Sequence, residues 1–90
     1  MEVHLYQRQR CGKCEATNHK VGFLIEKLGL TGRVSVVTRD IDTVDGMAEA
    51  AFEDVYYTPT TIIKQNGREI IRWDGVIPSI EDLKEVLRSA

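Results

Sequence analysis

Cys11-Gly12-Lys13-Cys14 is the segment of this sequence whose residue types and spacing define a reaction. Two residues between two cysteines let the sulfurs close one short ring, which suits reversible pairing by thiol–disulfide exchange. The segment sits where a loop enters a helix, and that position divides the roles. Cys11 would stand at the helix N-terminus, where unpaired backbone N–H groups and the helix dipole favour an anion, so its thiol is expected to ionise more readily than a free cysteine. Lys13, Arg10 and Arg8 add positive charge nearby. Cys14 would fall one turn further along the apolar face and be the more buried thiol. The expectation is that Cys11 attacks and Cys14 resolves.

A metal site is the competing reading, because C-x2-C also begins many zinc motifs. His4, Cys11, Cys14 and His19 make a conceivable Cys2His2 set, but the second ligand pair at a matching spacing is missing. A metal-binding module or metallochaperone built on the two cysteines therefore stands as the alternative, while the leading reading needs no metal and no organic cofactor. His4 alternates with Val3 and Leu5 on a strand and His19 lies in mid-helix, so both are expected to be ordinary packing or surface residues.

The elements that must position the cysteines follow from periodicity. Val3, Leu5 and Tyr6 read as a short strand from Glu2 to Gln7, followed by the polar run into Cys11. Cys14, Thr17, Val21, Leu24, Ile25 and Leu28 recur at the spacing of one helical face, and Gly29 is a natural stop. Val34, Val36 and Val37 predict a second strand ending near Thr38, parallel to the first because a right-handed crossover joins them. A helix from about Val44 to Val55 follows, capped by Thr43 or Asp45, with Met47, Ala50, Ala51 and Phe52 as its apolar side. Thr60–Lys64 and Glu69–Trp73 flank Asn66-Gly67, a hairpin signal that makes them antiparallel neighbours. Ser79 with Asp82 resembles a capping box, and Ile80, Leu83, Val86 and Leu87 give a last helix from about Ser79 to Arg88 an apolar face. The order β-α-β-α-β-β-α predicts an α/β sandwich with a mixed four-stranded sheet flanked by three helices.

The chain has 90 residues, enough for one domain over 1–90, and shows no repeat or linker. A core of that size folds without structural disulfides, which leaves both cysteines for chemistry. Acidic and basic residues nearly cancel, 14 against 12, which removes the electrostatic case for nucleic acid as a partner. There is no apolar stretch of the roughly 18 residues that a membrane span requires. A monomer in the reducing cytosol is the expectation, although a secreted form stripped of its signal would read the same.

With the pair placed, the whole chain resembles the thioredoxin superfamily. Tyr57-Thr58-Pro59-Thr60, Ile62-Ile63, Asn66-Gly67 and Gly75 are similar to the second half of a thioredoxin, and Val3-His4-Leu5-Tyr6 running straight into the cysteines is more similar to a glutaredoxin. The resemblance implies a thioredoxin-like fold. It also implies a thiol–disulfide oxidoreductase that exchanges with protein disulfides as a reductant and is recycled by a reductase, flavin-dependent if the thioredoxin likeness holds. In that family the proline is cis and faces the cysteine pair, and the backbone before it pairs with the substrate chain; by resemblance these roles fall on Pro59 and Thr58. The plainer reading is that Pro59 only starts a strand. Gly75 would serve either a close backbone approach at the substrate groove or a turn.

The departures from the family pattern are also informative. Arg10 and Lys13 replace the tryptophan and proline of Trp-Cys-Gly-Pro-Cys, and Leu5 stands where thioredoxins keep a buried acid. Proton transfer to Cys14 then falls to water or another group, with Asp40 and Asp42 as candidates, against the plainer view that acids at a strand end are solvated. Glutaredoxins bind glutathione through a glycine pair followed by an acid, whereas Trp73-Asp74-Gly75 offers a single glycine, so a dedicated glutathione site is doubtful. Trp73 itself is expected to be a core or rim aromatic.

Overall fold

Strand β1 (Glu2–Gln7) is buried at every residue from Val3 to Tyr6, so it requires cover on both faces and a neighbour on both edges. The computed structural model describes residues 1–90 and supplies both. The remaining elements are α1 (Gly12–Lys27), β2 (Ser35–Asp40), α2 (Val44–Phe52), β3 (Thr60–Gln65), β4 (Arg68–Asp74) and α3 (Ile80–Leu87). They form one sheet in the order β2-β1-β3-β4. β1 and β2 are parallel, with Val3 opposite Val36 and Gln7 opposite Asp40. β3 runs antiparallel to β1, and β4 antiparallel to β3. This is the mixed four-stranded α/β sandwich that the periodicity predicts, in the arrangement that the family resemblance implies.

Alternation along the strands sorts two cores. Val3, Leu5 and Ile63 face Val21, Leu24 and Ile25 of α1 and Leu83 and Leu87 of α3. On the opposite face Tyr6 and Ile62 pack with Ala50 and Val55, the smaller cluster under α2. No helix is long and apolar enough to cross a membrane.

The local stop and turn signals act where expected. α1 is capped by Leu28, and Gly29 takes a φ of +67° that a residue with a Cβ rarely adopts. Asn66 and Gly67 both have positive φ, 54° and 78°, the pattern of a two-residue type I′ hairpin. The Ser79 hydroxyl accepts the Asp82 N–H at 3.1 Å and starts α3.

Two details differ from expectation. β2 continues to Asp40 rather than ending near Thr38, because Arg39 and Asp40 pair with Tyr6 and Gln7. In α2, Thr43 is the cap, but Met47, Ala51 and Phe52 lie outside, Phe52 being 83% exposed, and the helix stops at Phe52. Its buried residues are the small Gly46 and Ala50. A Cβ on Gly46 would overlap the backbone carbonyl of Asp40, so α2 packs by close backbone approach rather than by a stripe of large side chains.

Candidate active site

The short connection after β1 makes its turn at Arg10, which adopts a φ of +57° and hands the chain to Cys11 as the N-cap of α1. Cys11 is extended, with φ −114° and ψ 100°, and its Sγ accepts the backbone N–H of Cys14 at 3.2 Å. That N–H is one of the donors a helix start leaves without an intrahelical partner, and here its acceptor is sulfur. Cys11 and Cys14 are joined as a disulfide with a Cα–Cα separation of 5.2 Å. The two sulfur-bearing residues differ in access: Cys11 is half-buried and Cys14 is 3% exposed. Arg10 and Lys13 are exposed beside them.

A second chain segment reaches the same rim. Because Tyr6 pairs with Thr60, and Thr60 with Asp74, the end of β1, the start of β3 and the end of β4 lie side by side. The Thr58–Pro59 bond is cis and Pro59 is buried, with Thr58 half-buried before it. The Gly75 N–H donates to the Pro59 carbonyl at 2.7 Å, which joins the end of β4 to the proline. Gly75 has a φ of +73°, and a Cβ there would come within 3.1 Å of Tyr57 Cβ. Gly75 is thus a turn residue that also lies close against Tyr57. Tyr57 and Val76 stand exposed on either side of that contact.

Elements that the sequence does not advertise hold this segment. Arg72 on β4 donates from Nη2 to the Glu53 carbonyl at 2.9 Å and from Nη1 to the Asp54 carbonyl at 3.3 Å. The same guanidinium binds Glu69 through Nε at 3.0 Å and Nη2 at 2.7 Å, and lies 3.6 Å from Asp74. Its hydrogen bonds hold the Glu69 carboxyl below the usual carboxylate range. Lys64 on β3 pairs with the Glu53 carboxylate at 2.5 Å, both side chains being largely buried. β3 and β4 thus anchor residues 53–59 at Glu53 and Asp54, and β4 anchors them again at Pro59.

The other singled-out residues fall as follows. Leu5, where the family keeps an acid, is an apolar core residue. Asp40 accepts the Asp42 N–H at its carboxylate and the Thr43 hydroxyl at its carbonyl, and Asp42 pairs with Arg8 at 3.6 Å, so both acids have tasks in the turn into α2. His4 is buried and its Nε2 lies 2.8 Å from Glu2, whose carboxyl this contact pulls below its ordinary value. His19 is exposed on α1. No three His, Cys, Asp or Glu side chains gather in a way that could hold a metal ion. Trp73 packs at the edge of the core under α1 and α3. A surface concavity runs along α1 past Glu15, His19 and Phe23 and is lined by neither cysteine.

No family model matches the chain. A thioredoxin of Methanocaldococcus jannaschii is 32% identical over 79 residues, a stretch covering 88% of this chain and 78% of that protein. Among solved structures, thioredoxin 1 of Thermosipho africanus superposes with a TM-score of 0.78 at 19% identity, covering 99% of this chain and 92% of the other. Oxidised thioredoxin O2 of Arabidopsis thaliana gives 0.79 at 22% identity, with 98% and 72% covered. Fasciola hepatica thioredoxin gives 0.75 at 25%, with 98% and 78% covered. A C-x2-C disulfide at the start of a helix on this sheet is the working part of a thioredoxin-like thiol–disulfide oxidoreductase. The chain belongs to the thioredoxin family.

Proposed function

We propose that Cys11 is the attacking thiol and Cys14 the resolving thiol in a cycle that reduces disulfides of partner proteins. The observation that carries this reading is the asymmetry of the pair: the half-buried Cys11 sulfur receives a backbone N–H at 3.2 Å, and Cys14 is buried. A donor aimed at a sulfur favours its negative form, and the thiolate is the nucleophile. Cys11 thiolate attacks one sulfur of the partner's disulfide, the partner's S–S bond breaks, and the departing sulfur takes a proton. Cys14 then gives up its proton and attacks Cys11, which expels the partner's second sulfur as a thiol and leaves Cys11–Cys14 oxidised. No cofactor takes part in this cycle.

Lys13 and Arg10 add positive charge at the attacking sulfur. Thr58, Pro59 and Gly75 form the groove wall for the substrate backbone, with the exposed Tyr57 and Val76 as apolar contacts. An exposed, partly apolar rim suits a protein disulfide better than glutathione, for which Trp73-Asp74-Gly75 lacks the second glycine. Family membership implies protein disulfides as substrates and a reductase to return electrons, here one of the flavin-dependent kind. The chain acts as one domain over 1–90, as a monomer in the cytosol. The test is insulin reduction with single-cysteine variants: Cys11→Ser gives no turnover, and Cys14→Ser accumulates a covalent complex with its partner. Full activity of Cys11→Ser overturns the assignment.

A further inference from the structure

Lys13 and Lys20 are separated by about two helical turns, so both project from one flank of α1. The Lys20 ammonium donates to the Pro78 carbonyl at 2.9 Å, which turns that flank toward the segment running on from Gly75. Lys13 therefore lies on the same flank as the groove wall, about 10 Å nearer the cysteine end of the helix than Lys20. It is exposed, as is Arg10 immediately before Cys11, and neither is paired with a carboxylate.

The acids of this rim are placed elsewhere. Glu15 leaves α1 about 160° around the axis from Lys13, on the side where Asn18 donates to the Gln7 carboxamide at 2.6 Å. Asp40 ends β2 and Asp42 follows it, across β1 from β3 and so away from Pro59; Asp42 is paired with Arg8. Asp74 stands opposite Thr60, itself opposite Tyr6, and so faces the α2 side of the sheet, 3.6 Å from Arg72. The chain as a whole has a formal charge of −2, so its overall field does not draw in an acidic partner. The unpaired positive charge is local to the mouth of the groove.

We propose that Arg10 and Lys13 select protein disulfides whose cysteine is flanked by acidic residues. The proposal rests on Cys11 as the attacking thiol. To form the mixed disulfide, a partner's sulfur must come within bonding distance of the Cys11 sulfur. That brings the residues on either side of the partner's cysteine beside Arg10, the neighbour of Cys11 in the chain, and Lys13, two residues after it. Carboxylates there meet two unpaired cations, and ammonium groups meet like charge. This selection is separate from the effect of the same cations on Cys11 ionisation, because it depends on the charge of the substrate and the ionisation does not.

The experiment compares two synthetic peptides that share one intramolecular disulfide and differ only in having Glu or Lys on each side of the attacked cysteine. Excess reduced protein is mixed with each peptide, the reaction is quenched with acid, and the peptide thiols are separated and counted. Each rate is divided by that of the same peptide with dithiothreitol, which removes the intrinsic reactivity of the disulfide. The ratio of the two corrected rates on one protein cancels the thiolate fraction of Cys11. Charge pairs about 8 Å apart in water, two per peptide and reversed in sign between peptides, give an expected preference of about tenfold for the Glu peptide at low ionic strength. At about 1 M salt, where the screening length is near 3 Å, the preference falls below about twofold. Lys13→Glu brings the low-salt preference to unity or inverts it, and Arg10→Glu lowers it. Arg68→Glu, the same change of charge beside the Asn66-Gly67 turn, leaves the preference as in wild type. Equal corrected rates for the two peptides in wild type, or a preference unchanged in Lys13→Glu, overturn the selection and leave the cysteine assignment standing. Reduction of both peptides by Cys11→Ser at the wild-type rate overturns the assignment itself, and the selection with it.

Discussion

Arg72→Met is the substitution that most directly tests how residues 53–59 are held. The guanidinium spends two donors on the carbonyls of Glu53 and Asp54, and its side chain is only 22% exposed. Hydrogen bonds from a charged donor contribute about 1.5–3 kcal/mol each, but these carbonyls regain water when the arginine is lost, which favours the lower end. The exposed Glu69 pairing adds about 0–1 kcal/mol. A net loss of about 3–4 kcal/mol is therefore expected, and in a domain of this size that lowers Tm by about 15–30 °C. Methionine keeps most of the apolar stem packing, so the loss reports the guanidinium. Arg72→Lys recovers only part of it, since an ammonium cannot fork to two carbonyls and a carboxylate together. Urea denaturation of the oxidised proteins gives the energies. Amide exchange at Asp54 and Val55, whose N–H groups donate to Ala51 and Ala50, shows whether the loosening is local. In the insulin assay the KM should rise, while the rate at which Cys11 of the reduced protein attacks the small disulfide 5,5′-dithiobis(2-nitrobenzoate), which needs no groove, should hold. A stability loss below about 0.5 kcal/mol, within the range of ordinary surface substitutions, would refute the anchoring role of Arg72.

Two further outcomes follow from the packing and the charges. Gly46→Ala forces a methyl group into the Asp40 carbonyl, so it destabilises by about 1–3 kcal/mol even though alanine is the better helix former, measurable by urea unfolding; a stabilised variant would show that α2 can shift off β2 freely. Because Arg72 lowers the folded-state pKa of Glu69, the pairing contributes its full stability above the unfolded carboxyl value, about 4.3, and loses it as pH falls through the lower folded value. Glu69→Gln should thus narrow its stability gap to wild type on acidification through that window, by no more than about 1 kcal/mol given the exposure, in urea midpoints taken across it. A gap that widens instead contradicts the sign.

What the sequence revealed depended on how local each cause is. The Asn66-Gly67 turn, the Ser79 cap and the stop at Gly29 are settled within a few residues, so the hairpin, α3 and the end of α1 were legible. The apolar face of α1 was legible too, since Cys14, Thr17, Val21, Leu24 and Ile25 follow one helical period and are buried together. α2 misleads because its contact with β2 is set by the absence of side chains at Gly46 and Ala50, while Met47 and Phe52, which periodicity sends inward, face outward. Arg72 was unreadable because its acceptors are backbone carbonyls eighteen and nineteen residues away. The cis bond at Pro59 came only from the family resemblance, as no local feature distinguishes it from a proline that opens a strand.

The strand directions explain why the site lies at one end of the sheet. β1 and β4 both finish at the rim where β3 begins, so the N-terminus of α1, the proline step and Gly75 meet there without any long loop. In the proposed cycle chemistry and recognition then rest on different supports: the start of α1 fixes the sulfurs through Cys11 and the Cys14 N–H, and Arg72 of β4 with Gly75 after it fixes residues 53–59, the proposed substrate wall. That separation is why changes in Arg72 are expected to move substrate affinity without altering Cys11, and changes in the backbone of α1 to do the reverse. The opposite end of the sheet carries the Asn66-Gly67 turn itself, so substitutions at those two turn residues are expected to act on folding stability and leave exchange untouched.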